Sequence, residues 1–338
     1  MKKILLTGGT GYIGSHTAVE LIREGFEVVI ADDLSNSNID VLDNIQEISG
    51  TRPSFVRLDL RDKKGCQALF AQHAPEAIIH FAAKKAVGES VHQPLLYYDV
   101  NLNSLLNLLE QSEKYPVKGI VFSSSCTVYG QPEILPVTEL TPFQAAESPY
   151  GNTKQICEEI LHDNCRSNPN LNAISLRYFN PAGAHPSALI GELPLGVPAN
   201  LVPFITQTAA GIREELKVFG DDYPTPDGTA IRDYIHVVDL ALAHVVAVKR
   251  LLENKQKNNY EFFNIGTGKG YSVLEVIRAF EKASGQTLAY RVVERRAGDI
   301  VQIYADTSFA NSELGWKAER GLEEMMDSAW KWQLKLKK

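Results

Sequence analysis

The sequence predicts an α/β protein: a doubly wound parallel sheet with a smaller, mixed α/β lobe. Three observations carry this. Short aliphatic and β-branched runs alternate with amphipathic stretches over residues 1–180, as repeated βα units on a parallel sheet require. A glycine-rich turn, from Gly8 to Gly14, follows the first of these runs at once. After residue 180 the rhythm breaks into Pro- and Gly-rich loops.

Taken in order, residues 2–7, 27–32, 54–58, 77–81, 119–124 and 172–178 read as strands. Between them, residues 13–24, 62–72, 94–113 and 149–168 have helical spacing, and Pro94 and Pro149 fall near helix starts, where a missing N–H costs little. Residues 180–203 and 220–228 read as loops, and helices resume over 201–211, 239–252, 272–284 and 322–335. The expected division is residues 1–180 as one domain and 181–338 as a second lobe, interleaved with the first and returning some segments to the sheet.

Composition narrows the class. With 338 residues, 44% hydrophobic and 22% charged, the chain is globular and long enough for a substantial core. The net charge of −7, without a basic tail or block, argues against nucleic acid as a partner. Cys66, Cys126, Cys157 and Cys165 make no C-x-x-C pair, which predicts reduced, buried thiols in a cytoplasmic protein and no metal site. No segment reads as an export signal or a membrane span.

The turn reads Thr7-Gly8-Gly9-Thr10-Gly11-Tyr12-Ile13-Gly14 and satisfies G-x-G-x-x-G at Gly9, Gly11 and Gly14. Glycines there permit a tight turn and close backbone approach to a pyrophosphate, while the helix N-terminus supplies free N–H groups. The next predicted strand ends at Asp32, where the ribose-binding acid of a Rossmann-like dinucleotide site belongs. A 2′-phosphate within about 4 Å of that carboxylate would be repelled by roughly 4 kcal/mol per unit charge, and no Arg stands beside it, so NAD is expected rather than NADP. Asp59-Leu60 and Phe81-Ala82-Ala83 end further strands at the same sheet edge.

Tyr150 and Lys154 stand at i and i+4, on one face of a predicted helix that follows a strand ending Ser123-Ser124-Ser125. The Lys154 cation, aided by a positive nicotinamide, is expected to lower the Tyr150 pKa and make it a general base near neutrality. Ser125 would share the proton of a substrate hydroxyl. His80 and His236, in strand-like contexts, read as core residues rather than catalysts.

These residues resemble the extended short-chain dehydrogenase/reductase family. More narrowly, residues 7–16 (TGGTGYIGSH), 85–91 (KAVGESV), 122–130 (FSSSCTVYG), 176–187 (LRYFNPAGAHPS) and 232–240 (RDYIHVVDL) resemble its UDP-glucose 4-epimerase branch, over essentially the whole chain. The resemblance implies a homodimeric, NAD-dependent isomerase acting on a UDP-hexose through a 4-keto intermediate. Either galactose use or supply of polysaccharide precursors would suit such an enzyme. It implies that NAD meets Gly8, Gly11, Tyr12, Ile13, Gly14, Asp32, Asn36, Ser37, Asp59, Leu60, Phe81, Ala82, Ala83, Lys85, Ser125, Tyr150, Lys154 and Phe179. Around the UDP-sugar it implies Ser125, Tyr150, Asn180, Asn200, Leu201, Phe219, Arg232, Arg296, Asp299 and Ile303. The two arginines suit a pyrophosphate, because a guanidinium offers planar multidentate donors.

This chain departs from the family pattern at four places. Asp33 replaces a frequent Asn, Ala83-Lys84 replaces Gly-Leu, and Val100 replaces an Asn expected at the nicotinamide, with Asn101 adjacent. Ile303 lies in size between the Tyr and Cys that the family places there, a position associated with refusing or admitting N-acetylated sugars. Rival readings are a UDP-N-acetylglucosamine 4-epimerase, a UDP-uronate epimerase or decarboxylase, and a non-catalytic NAD-binding sensor or scaffold. A 4,6-dehydratase would need an acid pair where this chain has Cys126-Thr127.

Overall fold

The computed structural model describes residues 1–295 and 299–336. Its first half alternates strand and helix: β1 (Lys3–Thr7), α1 (Tyr12–Arg23), β2 (Glu27–Asp32), α2 (Val41–Ser49), β3 (Ser54–Arg57), α3 (Lys63–His73), β4 (Ala77–His80), α4 (Val87–His92), α5 (Pro94–Lys114), β5 (Gly119–Ser123), α6 (Pro149–Ser167) and β6 (Asn172–Tyr178). There follow β7 (Asn180–Ala182), α7 (Leu201–Ala209), β8 (Leu216–Phe219), β9 (Ile231–His236), α8 (Val237–Leu252), β10 (Tyr260–Ile265), β11 (Gly270–Ser272), α9 (Val273–Ser284), β12 (Tyr290–Val293), β13 (Gln302–Ile303) and α10 (Leu322–Leu336). The predicted strands and helices are all present. Two helices escaped the sequence reading: α2 has its apolar face in a short stretch flanked by Asn, Asp and Ser that reads as loop, and α4 is only 6 residues long.

Seven parallel strands form the main sheet in the order β10-β6-β5-β4-β1-β2-β3. Strand order runs outward in both directions from the β1–β4 pair, so a crevice opens above their C-terminal ends. Side chains alternate across the sheet. Ile4, Leu6, Val28, Ile30, Ile79, Val121 and Ile174 pack toward α1 and α8, whereas Leu5, Val29, Ala31, Ile78, Ile120, Phe122 and Ala173 pack toward α3, α5 and α6. Helices cover both faces, as a parallel sheet needs. Truncating one of these aliphatics to Ala would cost about 2–5 kcal/mol.

The smaller lobe is built around β9, which pairs antiparallel with β11 and parallel with β13 and β7; β12 pairs with β8 in a separate ribbon. Helices α7, α9 and α10 close over it in their own apolar cluster. Helix α9 starts at a capping box, Ser272 with Glu275, whereas α8 is capped by His236, whose Nδ1 accepts the Val238 N–H at 3.1 Å. Histidine is not a usual cap, which explains why the sequence reading starts α8 late. His80 is likewise a core residue, paired with the Thr7 hydroxyl at 2.7 Å. All four cysteines are free and buried. Among the described residues no helix is long and apolar enough to cross a membrane.

The two parts meet at a cluster of neutral imidazoles. The His16 ring of α1 lies 6.4 Å from that of His185, and His236 Nε2 lies 3.2 Å from the Ser328 hydroxyl of α10. Burial pushes His16 down to about 3 and His185 and His236 to about 4, from the ordinary 6.5. In the unfolded chain these groups take up protons near 6.5, so folding stability is complete above that pH and is lost as pH falls toward 4. We expect the thermal midpoint, followed by circular dichroism, to drop by several degrees between pH 7 and pH 4.5. A His16→Gln variant should flatten that slope.

Candidate functional site

The turn after β1 is shaped by contacts that leave no room for side chains. Gly8 has φ +69°, and a Cβ there would meet Ala82 N at 2.7 Å. A Cβ on Gly14 would lie 2.3 Å from the Gly8 carbonyl. Gly11 differs: within the chain its Cβ would meet only Gly8 O, at 3.2 Å, so the open space above it faces outward. Gly11 is also the N-cap of α1 and brings no capping side chain, leaving the first-turn N–H groups free for an anion. Such a cradle fits a pyrophosphate. The side chains of Tyr12 and Ile13 point elsewhere. The Tyr12 hydroxyl donates to Gly183 O at 2.6 Å, and Ile13 packs on the core.

Asp32 closes the cradle. Its carboxylate accepts from Thr10 N at 3.2 Å, Leu34 N at 2.9 Å and the Ser37 hydroxyl at 3.2 Å, and Ser37 in turn lies 2.7 Å from Thr10 Oγ1. These partners are all neutral, with no cation among them to accept a 2′-phosphate; this fits a dinucleotide with free 2′-hydroxyl. Asn36 is exposed in the same loop. On the next strand end Asp59 is gripped by Arg61, whose Nη2 reaches Oδ2 at 2.6 Å and whose Nη1 reaches Asp99 at 2.7 Å. This hydrogen-bonding guanidinium holds the Asp59 carboxyl below its ordinary range. Leu60 is buried beside it, with its carbonyl accepting from Asn107 at 2.8 Å. Phe81 packs its ring 4.5 Å from His244, and Ala82 and Ala83 continue past Gly8. Asn101 does not stand in for the Asn that Val100 replaces. Its amide is turned inward, bonded to both backbone groups of Lys84 at 2.8 and 3.1 Å and to Thr153 at 3.0 Å.

The sheet edge beyond β5 brings Ser125, Tyr150 and Lys154 together. Ser125 caps the short 3₁₀ turn Cys126–Tyr129 by accepting from Thr127 N at 3.2 Å, and its hydroxyl sits close enough to the Tyr150 phenol to favour the phenolate. Helix α6 begins at Ser148, which accepts from Gly151 N at 3.1 Å and so sets Tyr150 in the first turn. One turn on, Lys154 Nζ donates to Ser123 O at 2.7 Å and lies 5.8 Å from the centre of the Tyr150 ring. The expected lowering of the Tyr150 pKa is corrected by this geometry. Burial pushes the phenol up, and it also pushes Lys154 down to about 8. Only the Ser125 hydrogen bond works toward the phenolate, so the chain by itself holds Tyr150 as a neutral phenol.

A second wall faces this set. Arg232 of β9 is in register with Ile303 of β13, and its Nη2 lies 3.8 Å from Asp299. Ile303 packs in one buried cluster with Phe179 and Cys126, the neighbour of Ser125, and Cys126 lies within electrostatic reach of Arg232. Asn180 is in register with Tyr234. Asn200, at the start of α7 just before Leu201, donates to Glu192 Oε1 at 2.6 Å, and Lys85 Nζ approaches the same oxygen at 3.6 Å. Phe219 ends β8, in register with Val293. Arg296 lies outside the described residues.

Sequence reasoning missed Glu192, which links Lys85 to Asn200, and Arg61. The D-x-R spacing was a usable signal for Arg61. Nothing local marks Glu192.

A doubly wound sheet, a glycine turn with its ribose acid, and a Ser-Tyr-Lys set at one edge together define an extended short-chain dehydrogenase/reductase. The family described as GDP-mannose 4,6 dehydratase matches residues 5–329. The UDP-glucose 4-epimerase of Bacillus subtilis (strain 168) is 53% identical over 330 residues, covering 98% of this chain and 96% of that one. Two solved structures superpose closely. UDP-glucose 4-epimerase from Bifidobacterium longum in complex with NAD+ and UDP has TM-score 0.95 and 47% identity, over 99% of this chain and 98% of that one. That from Stenotrophomonas maltophila, with bound NAD and formylated UDP-arabinopyranose, has TM-score 0.96 and 49% identity, over 100% and 99%. The chain belongs to the UDP-glucose 4-epimerase family.

Replacing Gly14 by Ala tests the cradle. The added methyl forces α1 away from Gly8, so the purified Gly14→Ala protein should release little or no dinucleotide on denaturation, while its far-ultraviolet circular dichroism stays that of the parent. Parental dinucleotide content would remove the turn from the binding role.

Proposed function

We propose that this protein is an NAD-dependent UDP-glucose 4-epimerase, interconverting UDP-galactose and UDP-glucose. The observation that carries the reading is the Ser125–Tyr150–Lys154 set between the dinucleotide cradle and the Arg232–Asp299–Ile303 wall. NAD, when bound, supplies a reversible hydride acceptor for carbon 4 of the sugar. The Tyr150 oxygen takes the proton of the 4-hydroxyl and gives it back on the return step, and Ser125 shares that proton through its hydroxyl. That transfer needs the phenolate: within the chain the Ser125 hydroxyl works toward it, and the Lys154 ammonium, 5.8 Å from the ring centre, stands beside the anion once it forms. Arg232 holds the diphosphate, which anchors the substrate by its nucleotide and leaves the 4-keto sugar free to present either face. Asp32 selects the cofactor without a 2′-phosphate. Although the matching family is described by a dehydratase, Cys126 and Thr127 offer no carboxylate for eliminating water, which supports epimerisation.

The test is equilibration of UDP-galactose with UDP-glucose by purified protein without added reductant, run in parallel with the N-acetylated pair because of Ile303. We expect turnover with the first pair; turnover with the N-acetylated pair alone would move the substrate, and turnover with neither would end the epimerase reading. Tyr150→Phe should retain NAD and UDP binding and lose about 10²–10⁴-fold in kcat.

The protein acts as a homodimer in this reading. Val87, Val91, Leu95 and Leu106 leave an exposed apolar strip on α4 and α5, and α5 packs on α6 to form the face that a two-fold partner would cover. Light scattering should give twice the chain mass, and the chain mass alone would exclude the dimer. Four free thiols suit a reducing compartment, which supports a cytoplasmic location.

A further inference from the structure

We propose that Glu158 is a positioning residue for the reaction, locking α6 and the end of β5 in the one register that assembles Ser125, Tyr150 and Lys154. The inference rests on the epimerase reading of that site. Tyr150, Lys154 and Glu158 are spaced by four on α6 and share a face. Three consecutive residues of the β5 edge answer them. The Ser125 hydroxyl stands against the Tyr150 phenol, Ser123 O accepts from Lys154 at 2.7 Å, and the Ser124 hydroxyl donates to Glu158 Oε1 at 2.5 Å. Slipping the helix by one residue would break all three.

Glu158 is 3% exposed and is itself held from two strands. Arg177 of β6 donates Nε at 3.0 Å to Oε1 and Nη2 at 2.6 Å to Oε2, and the Tyr260 hydroxyl of β10 donates to Oε2 at 3.1 Å. Arg177 is fixed in turn, with its guanidinium 4.2 Å from the Phe262 ring, 4.8 Å from Phe143 and 5.3 Å from Tyr129. Such a fully bonded buried pair contributes geometry more than net stability. It also carries charge to the site. Lys154 is faced by Tyr150, Cys157 and Glu158 on α6 and by His80 of β4, which burial keeps neutral. Burial lowers Lys154, and Cys157 and Glu158 oppose that lowering.

Two variants test this. Ser124→Ala removes only the tether: kcat should fall at least about tenfold with KM for UDP-galactose within about twofold, and amide exchange over residues 149–158 of the NAD-stripped protein should speed up. Glu158→Gln keeps the shape and removes the charge. The alkaline limb of its kcat–pH profile should move to lower pH by about half a unit or more, a change that loss of structure alone would not produce. Parental kcat, pH profile and amide exchange in both variants would overturn the proposal; if Glu158→Gln does not fold, parental kcat and exchange in Ser124→Ala suffice to overturn it. A parent protein without UDP-galactose turnover would overturn the epimerase reading instead, and the exchange comparison would still decide whether the register is held as described.

Discussion

The structure turns on how closely the backbone at Gly8 approaches the chain leaving β4. With φ of +69° and Ala82 N only 2.7 Å from where a Cβ would sit, the first βα turn folds flat against the neighbouring strand end. This brings the N-terminus of α1 over the crevice between β1 and β4, where strand order reverses. Every other group is placed relative to that crevice: Asp32 from one side, the Ser125 turn and α6 from the other, and β9 with β13 from across it.

The chemistry at this edge is set by burial as much as by charge. Tyr150, Lys154 and Ser125 are all nearly inaccessible, so each ionic form must be stabilised by a specific neighbour. In the chain alone the balance keeps the phenol protonated and weakens the ammonium. The second lobe complements this. It contributes Arg232, 3.8 Å from Asp299, within a sheet that shares no strand with the first.

Much of the fold was legible because its signals are local. Strand runs, proline-initiated helices and the Ser272–Glu275 cap each lie within a few residues. The glycine turn and the Tyr150/Lys154 spacing were legible for the same reason. What stayed hidden depends on partners distant in sequence. Arg61 reaching Asp99, Glu192 joining Lys85 to Asn200, and Glu158 binding Ser124, Arg177 and Tyr260 leave no periodic trace. The direction of the Tyr150 shift was missed on the same ground, since desolvation is a property of packing and a sequence pattern shows only the nearby cation.

Helix α8 and strand β10 come late in the chain, yet one covers a face of the main sheet and the other completes its edge beside β6. A nascent chain that has emerged only through β6 therefore displays Ile79, Val121 and Ile174 to solvent without the helix that shields them. The main sheet and its helical cover are complete only with residues 237–265, made after the first elements of the other lobe. Contacts of such long sequence separation slow folding and lengthen exposure of a sticky surface. The two halves are thus bound together in the order of their making as well as in their packing.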